Sequence, residues 1–154
     1  MHDELAYKLH AAFVKRKQTL ALAESCTGGA MAQRLTAVPG ASEFLLGSLV
    51  LYSNAWNHTF LGVLEQTLKT HGAVSLEVVH AMVEGLLHRT ACDVALAVSG
   101  IAGPTGGTPS KPVGTVFVGF AHRGEPVVVE RLLLHGDRSS VIAQTVDYGL
   151  RKLL

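Results

Sequence analysis

Three short apolar runs, residues 19–23, 46–52 and 94–99, constrain the fold more than any other feature. Each is separated from the next by residues of helical periodicity. A strand that returns to its own sheet through a helix must make a crossover, and crossovers give parallel pairs. The first connection carries a helical stretch over residues 30–37, broken by Pro39-Gly40. The second carries two short helical pieces, 56–61 and 64–70, ended by Gly72. A longer helix follows, capped by Ser75, with Val78, Val79, Met82, Val83, Leu86 and Leu87 at helical spacing. Residues 115–121 and 127–134 read as two more strands, joined by the turn Arg123-Gly124-Glu125-Pro126 in a hairpin-like pair. An amphipathic helix near residues 3–17 opens the chain, its apolar face Leu5, Leu9, Ala12 and Phe13. Asp137 caps the last helix, whose inner face is Val141, Ile142, Val146, Leu150 and Leu153. The order α β α β α β β β α predicts an α/β domain on a mixed sheet. With no internal repeat, low-complexity tract or linker, residues 1–154 read as one domain.

At 154 residues, such a domain can bury roughly 70% of the surface its unfolded chain exposes, so it needs no disulfide or metal staple. A net charge of +1 leaves no electrostatic footprint for nucleic acid or an anionic membrane. Charged residues are 16% of the chain and hydrophobic residues 48%. With few charges to cover the surface, apolar area is left for a second copy, and a homo-oligomer is expected. The longest apolar run, residues 44–52, is interrupted by Gly47-Ser48 and is too short to span a bilayer as a helix. The opening Met1-His2-Asp3-Glu4 has no apolar signal region. Cys26 and Cys92 have no short-range partner, as expected of a reduced, cytoplasmic protein. Among the eight histidines no His-x-x-x-His spacing occurs, and Cys-x-x-Cys is absent too, so no metal site is expected.

In open α/β sheets ligands bind beyond the carboxyl ends of the strands. Two segments fall there. In Glu24-Ser25-Cys26-Thr27-Gly28-Gly29, glycines let the backbone approach a ligand, and a helix start offers N–H groups to an anion. Ser25 either caps that helix or presents its hydroxyl as a nucleophile beside oxyanion donors. Cys26 is an alternative nucleophile or a small buried hydrophobe. In Ser99-Gly100-Ile101-Ala102-Gly103-Pro104-Thr105-Gly106-Gly107, four glycines in eight residues suit an anion nest or a plain connection. That segment is neither a P-loop nor a dinucleotide fingerprint.

Taken in order, Ala23-Glu24-Ser25-Cys26-Thr27-Gly28-Gly29, Tyr52-Ser53-Asn54, Leu61-Gly62-Val63, His71-Gly72-Ala73-Val74-Ser75, Ser99-Gly100-Ile101-Ala102-Gly103-Pro104, Lys111-Pro112-Val113-Gly114-Thr115-Val116 and Gly136-Asp137-Arg138 span nearly the whole chain. The set resembles the CinA C-terminal domain family, whose stand-alone members include nicotinamide mononucleotide (NMN) amidohydrolases. The resemblance implies a three-layer α/β/α sandwich on a five-stranded mixed sheet. It implies hydrolysis of the NMN carboxamide to nicotinic acid mononucleotide and ammonia, with no metal or other cofactor, as a serine–lysine hydrolase. Ser25 falls on the nucleophile and Tyr52 on the family tyrosine. Thr27, Gly28 and Gly29 would line the substrate. Ser99, Gly100, Gly103, Lys111 and Arg138 have the chemistry to hold a nucleotide phosphate, or else belong to a structural loop and an ordinary cationic surface. The family's name refers to competence for DNA uptake, but the chain has no basic stripe, so nucleic acid is not an expected partner.

One position departs from the pattern. The family's Tyr-Ser-Asn usually continues Glu-Ala-Lys, whereas here Ala55-Trp56-Asn57 follows. Asn57 stands where the lysine should be. A serine hydroxyl is a poor nucleophile until a base takes its proton, and an amide cannot serve as that base. Loss of a general base costs on the order of 10⁴ to 10⁶ in turnover. Tyr52, His58 and Lys111 are the replacements at hand, but one step along a helix turns a side chain by about 100°, so His58 reads first as a surface residue. Two expectations follow: an amidohydrolase with a rearranged base, or a silent paralogue that binds a nucleotide or a protein partner.

Overall fold

The computed structural model describes residues 3–154. The five strands are β1 (Leu20–Glu24), β2 (Leu45–Val50), β3 (Val94–Gly100), β4 (Thr115–His122) and β5 (Val128–Leu133). They form one sheet in the order β2-β1-β3-β4-β5. β1 runs parallel to β2 and β3, and β4 runs antiparallel to β3 and β5. The mixed sheet follows from the connections: helical crossovers join the first three strands, and a short turn joins the last two. β1 and β3 are covered on both faces and read as nearly unbroken apolar runs. β2 is an edge strand. It ends at Val50, short of the expected Tyr52, because Ser53 turns the chain and caps the next helix by accepting from the Trp56 amide at 3.2 Å.

Six helices cover the two faces: α1 (Glu4–Arg16), α2 (Ala30–Thr36), α3 (Asn54–Leu61), α4 (Glu65–His71), α5 (Leu76–Arg89) and α6 (Arg138–Arg151). Asp3, Ser75 and Asp137 cap α1, α5 and α6 through their side-chain oxygens. On one face Leu9, Phe13, Met31, Leu35, Val146 and Leu150 pack against Leu22 and Leu96. On the other, Leu61, Val79, Met82, Val83 and Leu86 pack against Ala23, Ala97 and Phe117. The result is the three-layer sandwich. A Cβ at Gly85 would lie 2.3 Å from the Leu61 carbonyl oxygen, so only glycine lets α5 meet the end of α3. Gly85→Ala is expected to destabilise the fold by about 1–3 kcal/mol. A denaturation midpoint equal to the parent's would show that α3 shifts freely.

This topology gathers the site. β1, β2 and β3 are mutually parallel, so their carboxyl ends and the loops after them share one edge. β5 runs in the β3 direction, since β4 is antiparallel to both. The start of α6 therefore arrives on that same edge.

Candidate active site

Glu24 organises the first loop. It is the last residue of β1 and is fully buried. One carboxylate oxygen accepts from the Thr27 hydroxyl at 2.6 Å and from the Gly29 and Met31 amides at 3.2 and 3.0 Å. The other accepts from the Ala32 amide and the Ser48 hydroxyl, both at 3.0 Å. The opening turn of α2 is thus held by an acid from the preceding strand. A carboxylate is favoured there by both the free amides and the helix dipole. Ser25 does not cap this helix: the N-cap is Gly29, with no side-chain cap bond. The anion seat expected at the helix start is already taken by the protein's own carboxylate.

Ser25 follows directly and is half-buried. Its amide donates to the Val98 carbonyl at 3.2 Å, and its carbonyl accepts from the Gly28 amide at 3.0 Å. This fixes the turn against β3. Among the described residues, the Ser25 hydroxyl has no hydrogen-bond partner, and the Cys26 and Thr27 amides meet no main-chain carbonyl. Cys26 is buried, and burial pushes its thiol up to about 12. It fills a core position and presents no thiolate at neutral pH. Iodoacetamide at pH 7.5 is expected to leave the native protein unmodified, since Cys92 is also fully buried. A carbamidomethyl adduct on Cys26 within minutes, seen by mass spectrometry, would contradict this.

Gly100 lets the second loop close on the first. A Cβ there would stand 3.2 Å from the Cys26 sulfur and 2.7 Å from a Val116 methyl. Arg138, at the start of α6, ties the edge together. Its guanidinium donates to the Gly103 carbonyl at 2.9 Å and to the Tyr52 hydroxyl at 3.0 Å. It also lies close enough to act electrostatically on the Cys26 thiol. Beside it Ala102, Pro104, Val113, Gly136 and Asp137 line a hollow of about 280 Å³. A larger one, about 820 Å³, lies among α3, α4 and α5, lined by Leu64, His71, Leu76, His80 and His88. That larger hollow contains none of the candidate residues. The smaller one has the better claim, because it adjoins the strand ends where this fold class binds ligands.

Ser25, Thr27, Gly28, Gly29, Tyr52, Gly100, Gly103 and Arg138 thus come to one edge. Three other candidates are otherwise engaged. Ser99 is buried, and its hydroxyl donates to the Ala73 carbonyl at 2.9 Å. Lys111 reaches the His71 carbonyl at 2.8 Å, at the end of α4. Asn57 is only 3% exposed on the inner face of α3. Its amide nitrogen donates to the Ser53 carbonyl at 3.3 Å, and its Oδ1 is buried without a partner. His58 is exposed and holds the Val63 carbonyl through Nδ1 at 2.8 Å. A carbonyl only accepts, so Nδ1 carries the proton. Among the described residues, no group of three His, Cys, Asp or Glu side chains could hold a metal ion, and no helix is long and apolar enough to cross a membrane.

The sequence reading did not single out Glu24, although a signal was there. An acid closing a strand of otherwise apolar residues, just ahead of a glycine pair and a helix, is placed to meet that helix's amides.

The nicotinamide-nucleotide amidohydrolase PncC of Enterobacter agglomerans is 44% identical over 151 residues, 98% of this chain and 92% of that protein. A CinA-like protein of Thermotoga maritima is 49% identical over 139 residues, 90% of this chain, which spans only about a third of that longer relative. The crystal structure of the competence/damage inducible protein CihA from Agrobacterium tumefaciens superposes with a TM-score of 0.95 at 36% identity, over 97% of this chain and 92% of that one. The family model of the CinA C-terminal domain matches residues 2–154. A five-stranded mixed sheet covered by helices on both faces is thus a fold shared with solved members of a known group, and the chain belongs to the CinA C-terminal domain family.

Proposed function

We propose that the chain is an amidohydrolase of the nicotinamide-nucleotide type, with Ser25 as its nucleophile and NMN as its substrate. The observation that carries the reading is the half-buried Ser25 hydroxyl at the carboxyl end of β1, on a loop held from beneath by Glu24. The likeness to PncC, 44% identical along nearly the full length of both chains, supports the substrate class. In this reading Ser25 Oγ adds to the carboxamide carbon. The Cys26 and Thr27 amides face the developing oxyanion, as the amide after a nucleophile does elsewhere. The carboxamide nitrogen takes up the proton that Ser25 gives and leaves as ammonia; water then adds to the ester carbon, returns one proton to Ser25 and one to solvent, and releases the carboxylate. Arg138, with the loop around Gly103, takes the phosphate, exchanging its bond to Tyr52 for one to the ligand. Thr27, Gly28 and Gly29 shape the loop. The hollow beside Arg138 is slightly below the roughly 300 Å³ of the smallest ligand pockets, so the pyridine ring must reach beyond it toward Ser25. Two buried, unpaired cysteines suit a cytoplasmic enzyme of the pyridine nucleotide cycle.

The step left without a group is removal of the serine proton. Asn57 cannot accept it, and Lys111 is bound elsewhere. Slow turnover is therefore expected, from positioning and oxyanion stabilisation alone. That same observation favours a second reading, a nucleotide-binding protein without turnover. Ammonia release from NMN, with Ser25→Ala alongside, separates the two. The amidohydrolase reading expects release above background that disappears in Ser25→Ala. If NMN raises the melting temperature but no ammonia appears, the binding reading stands. If NMN does neither, both fail.

A further inference from the structure

We infer, on the reading of the hollow beside Arg138 as the phosphate end of the nucleotide site, that Lys111 and Arg131 are positioning residues. Together they latch the glycine-rich loop 101–114 as one wall of that hollow, and so set how tightly it holds a phosphate.

The loop joins the antiparallel neighbours β3 and β4. Its base is closed by the backbone. The Ile101 amide donates to the Thr115 carbonyl at 2.9 Å, and the Gly114 amide to the Ile101 carbonyl at 2.8 Å. Beyond that base, residues 104–110 are all exposed. Gly103 and Gly106 hold positive φ, at 86° and 93°. A glycine-rich, solvated segment loses much backbone freedom on being fixed, and no core packing holds it. Within it the Thr108 amide donates to the Lys111 carbonyl at 2.8 Å, and the Lys111 amide to the Thr108 hydroxyl at 3.1 Å.

Three cations tie this loop to other elements, each through a carbonyl. Arg138 holds Gly103, as described above. The Lys111 ammonium leaves the loop for the His71 carbonyl at 2.8 Å. That carbonyl ends α4, where a positive charge is favoured. Arg131, on β5, donates to the Ser110 carbonyl at 2.6 Å. Its guanidinium is braced 5.6 Å above the Phe117 ring centre. Residues 110 and 111 are thus pinned from two separate elements by charge-assisted bonds, roughly twice as strong as neutral ones.

The pinned loop supplies Ala102, Pro104 and Val113 to the hollow, opposite Asp137 and Arg138 from α6 and the residue before it. Its two limbs touch, since a Cβ at Gly103 would stand 2.5 Å from a Val113 methyl. Motion at the tip therefore reaches the wall. Neither Lys111 nor Arg131 lines the hollow. Their effect on a ligand passes through the loop: unlatched, it must be ordered again each time an anion binds.

The test needs no turnover. In the double variant Lys111→Met with Arg131→Met, amide hydrogen exchange of the free protein at residues 108 and 111 is expected to quicken about tenfold, with β1 and α2 unchanged. Calorimetric titration of that variant with NMN, and with inorganic phosphate, should show affinities about tenfold weaker at an unchanged melting temperature. Lys111→Arg with Arg131→Lys keeps both donors and should restore both readouts. Lys69→Met, exposed on α4, should alter neither. Loop exchange as slow as the parent's would overturn the inference even if affinity fell, because Lys111 would then be touching the ligand itself. So would faster exchange at unchanged affinity, or a conservative pair that restores nothing. A failure of the nucleotide reading looks different. A wild type that binds phosphate but not NMN would sink NMN as the substrate and leave the latch to be judged on phosphate. A wild type that binds neither would overturn the latch as well.

Discussion

Asn57→Lys is expected to raise ammonia release from NMN by at least a hundredfold. A serine hydrolase loses most of its rate with its general base, and the Ser25 hydroxyl has no acceptor among the described residues. Position 57 is only 3% exposed and holds a polar atom that no donor serves. A lysine amine placed there would be desolvated, which favours its neutral form and lowers its pKa below the ordinary value of about 10.4. The sign of the pH dependence follows. The gained rate should be absent at low pH, rise as the amine loses its proton, and reach a plateau below pH 10. The wild type should lack this rise. A variant that folds, binds NMN as the parent does and releases ammonia no faster would show that more than the lysine has been lost. Ser25→Ala placed on Asn57→Lys should return the rate to background.

Substitution of Glu24 should have the largest effect on stability. Removing its carboxylate in Glu24→Ala strands three amides and two hydroxyls that it now satisfies. Each unsatisfied buried group costs about 1–3 kcal/mol, and part of this is recovered where water enters, so a net loss of about 3–5 kcal/mol is expected. For a chain of this size that lowers Tm by roughly 10 °C. Glu24→Gln is the sharper probe, because it keeps the shape. Donors converge on both oxygens, so either orientation of the new amide points N–H groups at an N–H. With its nitrogen toward Ser48, the hydroxyl can rotate to accept but the Ala32 amide cannot. A loss of about 2–3 kcal/mol is expected. Chemical denaturation of both variants measures this, and a Glu24→Gln midpoint within error of the parent would show that the carboxylate's charge is not what holds the loop. Catalysis should fall further than stability in either variant, because Ser25 hangs from that loop.

The fold was legible because its signals are local. An apolar run between helical stretches has few ways to return to its sheet, and the caps at Ser75 and Asp137 are contacts three residues long. The edge of β2 was misjudged by two residues because Leu51 and Tyr52 continue the apolar pattern. Only the Ser53 cap, a polar contact, ends the strand.

The site was legible in part. Ser25, Gly100 and Gly103 stand out as residue types, and the chain's departure at Asn57 needs no structure to be seen. What those residues are bonded to is another matter. Arg138 lies 86 residues from Tyr52, and Ser48 lies 24 from Glu24. Nothing local marks either pair. Which hydroxyl is engaged, which cation is held and which helix start is already neutralised depend on distances between separate elements, and the packing of the two helical layers sets those distances. By itself the chain determined the order of elements and the crossovers, and set beside the pattern of the family it resembles it lacked the amine at position 57. The tertiary structure alone decided that Glu24 and not Ser25 holds the start of α2, and that Lys111 and Ser99 are spoken for. Hydrogen bonds are satisfied in space and carry no trace of it along the sequence.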